Sequence, residues 1–263
     1  MTTEDLLVHI EGIGWHSPGI PDWKGAIDAL RGGAALPESG ATRPAAAALP
    51  AQERRRAPDS VLLACDVAGQ ACAMAGRDAG NLPTVFVSAH GDIAISEALC
   101  STLADDPLAL SPTRFHNSVH NAPVGYWTVA AHCHAASSAV SAWRGSFAAG
   151  LLEASVQALA ENTPVLFAAY DVAAQGPLGE VLQAAIPFGV ALLLNPERAP
   201  HAVASLRVRH EARGAAPETP TAFAETTPVA GALPLFALLA RAREGRVHLP
   251  NGSAGTLAIE VAA

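Results

Sequence analysis

Charge is scarce in this chain, and what there is leans acidic. Only 15% of its 263 residues are charged, 16 Lys and Arg against 24 Asp and Glu, for a formal net charge of −8. Binding to a phosphate backbone needs clustered basic side chains, and the one compact basic run, Arg54–Arg55–Arg56, reads as a solvated helix start. No nucleic acid is therefore expected as a partner. Half the residues are hydrophobic, yet no uninterrupted apolar run reaches about 18 residues, so no membrane insertion is expected. The opening MTTEDLLVHIEGIGW is acidic and lacks the basic and apolar regions of a signal peptide, which makes a cytoplasmic location the expectation. The four cysteines, Cys65, Cys72, Cys100 and Cys133, match no zinc framework. In a reducing compartment they read as small buried hydrophobes. Also missing are a G-x-S-x-G elbow, a Walker loop and a G-x-G-x-x-G fingerprint. The glycines of EGIGW form only G-x-G ahead of a Pro turn, so no cofactor is expected.

What is present is an alternation of strands and helices. LLVHIEGIGW reads as an apolar strand ending in a Gly/Pro turn. A short helix is expected at 24–31 and a surface loop over the Gly/Ala/Pro-rich 32–52. Val61, Leu62, Cys65, Ala68 and Cys72 recur at helical spacing within 59–77. A buried strand at 84–88, a helix at 93–103 and a helix at 118–131 with Pro123 near its first turn follow. Beyond them come a strand at 137–142, a tight turn, a helix at 146–161 that is apolar on nearly every side, and strands at 165–170 and 188–194. A helix hydrophobic all round is expected to be buried all round. Residues 196–228 read as irregular, and a helix at 232–243 and a strand at 256–261 close the chain. The order predicts an α/β layered sheet.

The local motifs make the chain similar to the N-terminal half of the β-ketoacyl synthases, which have the thiolase fold. VHIEGIGWHSPGI resembles their first strand. From Leu110 to Tyr170 the elongating-synthase pattern lies on this sequence without a gap: Ser111–Pro112 ahead of the dimer loop, Asn121 with Gly125, Ser137, and the buried strand from Val165 to Ala169. The resemblance implies a thiolase-like layered α/β fold with a mixed central sheet and a buried central helix. It covers 1–195 as a ketosynthase-like N-terminal half, with 196–263 an abbreviated C-terminal segment of loop, helix and last strand on the same domain. In this register Arg144 stands where the nucleophilic cysteine would be, and the C-terminal histidine pair of the family has no counterpart. FHNSVHN…GYW and GSFAAGLLEA look like the short chain-length-factor-type subunit of aryl polyene and type II polyketide systems. That likeness implies a non-catalytic subunit, a pseudo-ketosynthase that pairs with an active β-ketoacyl-ACP synthase and shapes its acyl tunnel. Fatty-acid-like chemistry, an acyl-carrier protein as a further partner, and a homodimer in isolation belong to the same expectation.

A guanidinium cannot accept an acyl group, because it stays protonated. Arg144 is a helix-start cation, unfavourable there by a few tenths to about 1 kcal/mol, for which Glu53 or Asp171 could be the counter-ion. The dimer loop implied by the resemblance makes Arg114, Phe115 and His116, with His120, the expected interface and acyl-tunnel gate. His116 and His120 also have the i, i+4 spacing of two ligands on a helix face, but no third ligand follows, and no metal is expected. The alternative chemistry is an autonomous acyltransferase or thioesterase with Cys133 as nucleophile and His132 or His134 as base; against it, adjacent residues point in different directions. A homodimeric scaffold for acyl-carrier protein is a third reading. A half-length chain leaves one apolar face of helix 146–161, or of its sheet, in need of a cover, which helix 232–243 is expected to supply in part.

Overall fold

In the computed structural model the described residues are 5–33, 35–40, 43–174, 176–182, 184–211, 227–252 and 255–262. Eight strands form one mixed sheet in the order β3-β2-β4-β5-β1-β6-β8-β7. They are β1 (Leu6–His16), β2 (Thr84–Val87), β3 (Ser137–Val140), β4 (Val165–Asp171), β5 (Phe188–Asn195), β6 (Ala204–Glu211), β7 (Gly245–Pro250) and β8 (Thr256–Ala262). The pairs β3/β2 and β2/β4 are parallel, and every other pair is antiparallel.

Strand alternation distributes the core to both faces. Val165, Phe167 and Ala169 of β4 join one cluster, Leu166, Ala168 and Tyr170 the other. On one face α1 (Trp23–Gly32), α7 (Ser146–Glu161) and α9 (Leu233–Ala240) cover the sheet. Phe236 stacks edge-on against Trp15, Trp23 and Phe147 there. On the other face lie α3 (Asp59–Ala75) and α6 (Ala122–Ala130), around Phe86 and Trp127; α2 (Ala51–Arg56), α4 (Ile93–Asp105), α5 (Pro112–Asn117) and α8 (Gly176–Leu182) lie in the connections. The result is the thiolase-like layered α/β fold, with a mixed sheet.

The G-x-G of EGIGW has a packing purpose. A bulge between Ile10 and Gly12 keeps Val8, Ile10, Ile13 and Trp15 in one core cluster. Gly12 and Gly14 then face α3, where a β-carbon would overlap the carbonyl oxygens of Ala71 and Val67 respectively. Gly14→Ala is expected to force α3 off the strand and cost about 2 kcal/mol of stability, readable by denaturant unfolding.

The bulge also buries a carboxylate. Glu11 accepts hydrogen bonds from Nε and Nη2 of Arg77, each at 2.8 Å, and from the Asn195 amide at 2.6 Å. Burial alone would raise its pKa, but these donors outweigh burial and hold it below the usual carboxylate range. A folded pKa below the unfolded one gives stability that is present above about pH 4.3 and is lost as pH falls through the folded value. Glu11→Gln should therefore flatten the acid limb of the stability–pH curve below about pH 4.3 relative to the wild type.

Several sequence expectations need correction. Residues 204–211, read as irregular, form β6, because Ala204, Leu206 and Val208 alternate into the core between β1 and β8; residues 212–226 of the same stretch lie outside the described residues. Residues 245–250, between the expected last helix and last strand, form a further strand, β7, at one edge of the sheet. The helix expected over 118–131 is shorter, α6 (Ala122–Ala130), and a separate short helix, α5 (Pro112–Asn117), precedes it where the dimer loop was expected; each has a proline in its first turn. The helix expected to be buried all round, α7, is buried on one side only: Ala154 and Ala158 are covered, whereas Glu153, Val156 and Ala160 are exposed. The expectation for α9 agrees with the structure: it lies on the sheet beside α1, with Phe236 against Trp15 of β1 and Phe147 of α7, and so covers part of that apolar face. Cys100 is exposed, unlike the other three thiols.

Candidate functional site

The site is built at the C-terminal ends of β2 and β3, where the chain turns into α7. A 3-10 turn, Trp143–Gly145, joins the strand to the helix. Ser146 fixes it from both sides: its hydroxyl accepts the Ala142 N–H at 2.8 Å and donates to the Trp143 carbonyl at 2.6 Å. Gly145 is required because a β-carbon there would collide with the Gly252 backbone. Trp143 has φ of 52°, in the left-handed region that bulky side chains rarely enter. Its half-exposed indole meets the His90 ring edge-on, with centroids 5.6 Å apart.

A buried carboxylate anchors this end of the sheet. Asp171, at the end of β4, accepts the Ser88 hydroxyl and the Ala89 N–H at 2.9 Å and the Val229 N–H at 3.0 Å. Burial pushes its pKa up, while the Ala89, Ser88 and Val229 donors and nearby His90 act against that shift. Ser88 in turn accepts the Gly91 N–H at 2.9 Å, and its carbonyl meets the His120 Nε2 at 3.0 Å. Asp171 thus ties β2, β4 and the turn before α9 together, and positions the loop that carries His90.

Arg144 sits one residue beyond Trp143, exposed, and makes neither of the ion pairs considered for it, with Glu53 or Asp171, among the described residues. His120 joins the Ser88 end of the site. Arg114, Phe115 and His116 lie on α5, all exposed, with Phe115 66% accessible. Because α5 ends at Asn117 and α6 starts at Ala122, His116 and His120 do not share a helix. His116 lines a cavity of about 720 Å³ together with Leu49, Val119, Tyr126, Val129 and His132.

Cys133 is buried in the loop before β3, and its thiol donates to the Leu82 carbonyl at 3.4 Å. His132 and His134 are exposed on either side, and neither hydrogen-bonds it. Burial raises the pKa of Cys65, and that of Cys72 to about 12, so neither offers a thiolate at neutral pH.

Two features escaped sequence reasoning. One is Trp143, whose only signal was a large aromatic directly ahead of R-G-S. The other is the apolar exposure of the segment between β2 and α7, which carries β3. This strand ends the sheet, with β2 as its one partner among the described residues. Of the ten exposed large hydrophobics among the described residues, six fall between β2 and α7: Leu103, Leu108, Phe115, Val119, Val129 and Trp143.

A sheet with this topology, a helix rising from a strained strand-to-helix turn and helices on both faces define a ketosynthase-like protein. The model of the beta-ketoacyl synthase N-terminal domain matches residues 31–252, and the chain belongs to that family. No curated protein matches it. Among solved structures it is similar to a chain of the ketosynthase ApeO in complex with its chain length factor ApeC from Xenorhabdus doucetiae. There the identity is 24%, coverage is 98% of this chain and 100% of that one, and the TM-score is 0.73. A chain of the AntDE:AntF complex, a type II polyketide synthase acyl-carrier protein with its ketosynthase bound to the hexaketide, matches over the full length of both chains at 11% identity and TM-score 0.73. The ishigamide ketosynthase/chain length factor matches at 14% identity over 79% of this chain and 64% of that one, with TM-score 0.56. No helix of the described residues is long and apolar enough to cross a membrane.

Proposed function

We propose that this chain is a non-catalytic, chain-length-factor-type subunit that pairs with an active β-ketoacyl-ACP synthase and shapes its acyl tunnel. The observation that carries the reading is a strand-to-helix turn that holds no cysteine, on a chain whose exposed large apolar side chains concentrate in the segment between β2 and α7 that carries the edge strand β3. The solved relatives described as complexes of a ketosynthase with its chain length factor support the same assignment. On this reading the system makes a type II polyketide or aryl polyene product, or a fatty-acid-like chain, in the cytoplasm. Acyl-carrier protein is a second partner.

Arg114, Phe115 and His116 project from α5, and with His120 they are the groups offered to the partner's tunnel. Phe115→Ala removes an exposed ring that contributes little to this chain's own core, so it should leave the fold intact. In the reconstituted complex it should shift the product distribution toward longer chains, read by mass spectrometry; an unchanged distribution would remove Phe115 from the gate. Pairing itself is tested by co-expression with the active synthase from the same source. A stoichiometric complex on gel filtration is expected, and two separate peaks would count against the proposal. The rival thiol chemistry of Cys133 has no base within hydrogen-bonding reach to favour it.

A further inference from the structure

We infer that Trp143, rather than Arg144, is the side chain presented at the place where an attacking group would stand, and that its indole closes that place. Five non-glycine residues of the described chain have positive φ: Ala46, His132, Trp143, Asn162 and Ala242. His132, Asn162 and Ala242 follow the C-terminal ends of α6, α7 and α9, where a left-handed residue commonly ends a helix. Ala46 lies in a loop. Trp143 alone stands between the end of a strand and the start of a helix, the setting of a nucleophile-bearing elbow.

Strain of this kind persists only where the surroundings over-determine it, and here they do. Ser146 holds the Ala142 N–H and the Trp143 carbonyl together, and the Gly252 backbone closes in on Gly145. From the β2 side, the Ala89 carbonyl accepts the Ser141 hydroxyl at 2.9 Å. The backbone thus keeps a costly conformation at a residue whose side chain gains from it only a half-exposed contact with His90. A helix start needs no such conformation: Gly145 and Ser146 have φ of −88° and −57°. The strained backbone aims one side chain over the N-terminus of α7, and in this chain that side chain is an indole. Arg144, already past the strained position, is left exposed on the turn.

This inference rests on the ketosynthase-like reading of the turn, but its test uses the full chain alone and does not depend on pairing. Trp143→Cys and Arg144→Cys are alkylated with iodoacetamide from pH 5 to 9, and labelling is read residue by residue by peptide mass spectrometry. Native Cys100 serves as the exposed reference and Cys133 as the buried one. A thiol held over a helix N-terminus has a depressed pKa. Trp143→Cys should therefore titrate at least about one unit below Arg144→Cys and label about tenfold faster at pH 7. Equal titration of the two, or a lower pKa for Arg144→Cys, overturns the assignment.

If Trp143→Cys fails to fold, the comparison moves to Trp143→Gly and Trp143→Ala. Both lose the indole, but only glycine relieves the left-handed backbone. The glycine variant should melt about 2–4 °C above the alanine variant, and equal or reversed melting overturns the assignment. A chain that fails to pair with a synthase but keeps the thiol contrast would refute the proposed function and leave this inference standing.

Discussion

Replacing Asp171 by alanine is expected to lower the unfolding free energy by about 3 kcal/mol, a large share of the stability of a single domain. Asp171 is buried, and each of its carboxylate oxygens is used. The Ser88 hydroxyl and Ala89 N–H meet one, the Val229 N–H the other, with the Thr227 hydroxyl at 3.5 Å. Alanine leaves two backbone N–H groups without an acceptor away from water, each costing about 1–3 kcal/mol. Asp171→Asn keeps one acceptor oxygen and should recover part of the loss. The damage should also be regional. Hydrogen exchange should rise first at Ala89–Gly91 and Val229–Ala230, because Asp171 is what joins the end of β2 to the turn that leads into α9. Denaturant unfolding with matched exchange measurements checks both parts.

The second large effect concerns β3. The Thr84 N–H donates to the Ala136 carbonyl at 2.9 Å and the Ser88 N–H to the Val140 carbonyl at 3.4 Å. Since backbone groups of a strand alternate in direction, Ser138 also faces β2, and Ser137 and Ala139 direct theirs away from the sheet. Ala139→Pro thus removes an N–H that the chain's own sheet does not use, and proline is tolerated on such an outward edge position. The isolated variant should melt within a few degrees of the wild type. Pairing with the synthase, if it runs along this edge, should weaken at least about 100-fold, because proline both deletes an edge donor and puts its ring where a neighbouring strand must approach. The mirror substitution, Ser138→Pro, breaks the ladder to β2 and should lower the stability of the isolated chain. The contrast between the two reports the orientation of the edge.

Much of the fold was legible because its signals are local. Apolar periodicity gave α3, and the continuous apolar runs TVFV, VLFAAY and FGVALLLN gave the buried strands β2, β4 and β5. The register with the ketosynthase pattern located the turn ahead of α7. What was not legible depends on contacts distant in sequence. Strand β6 alternates in the pattern of a strand, but it lies in a stretch rich in Arg, Pro and Glu, and only its neighbours β1 and β8 make it a core element. The exposed side of α7 could not be read either: GLLEASVQAL looks apolar all round, and whether Val156 is covered depends on which other layers the chain supplies. At the site, the sequence register pointed to Arg144. The positive φ that singles out Trp143 is a backbone property with no residue signature, because a tryptophan has no preference for that conformation. Similarly, the glycines of EGIGW match no cofactor fingerprint, and that they are the surface on which α3 rests depends on a helix about sixty residues away.

The most direct test of pairing through β3 is titration of an active β-ketoacyl synthase from the same source with the wild-type chain and with Ala139→Pro, followed by sedimentation velocity. A one-to-one complex with the wild type and its loss with a folded Ala139→Pro is the predicted result. Undiminished pairing by Ala139→Pro, or no complex with the wild type, would contradict the account.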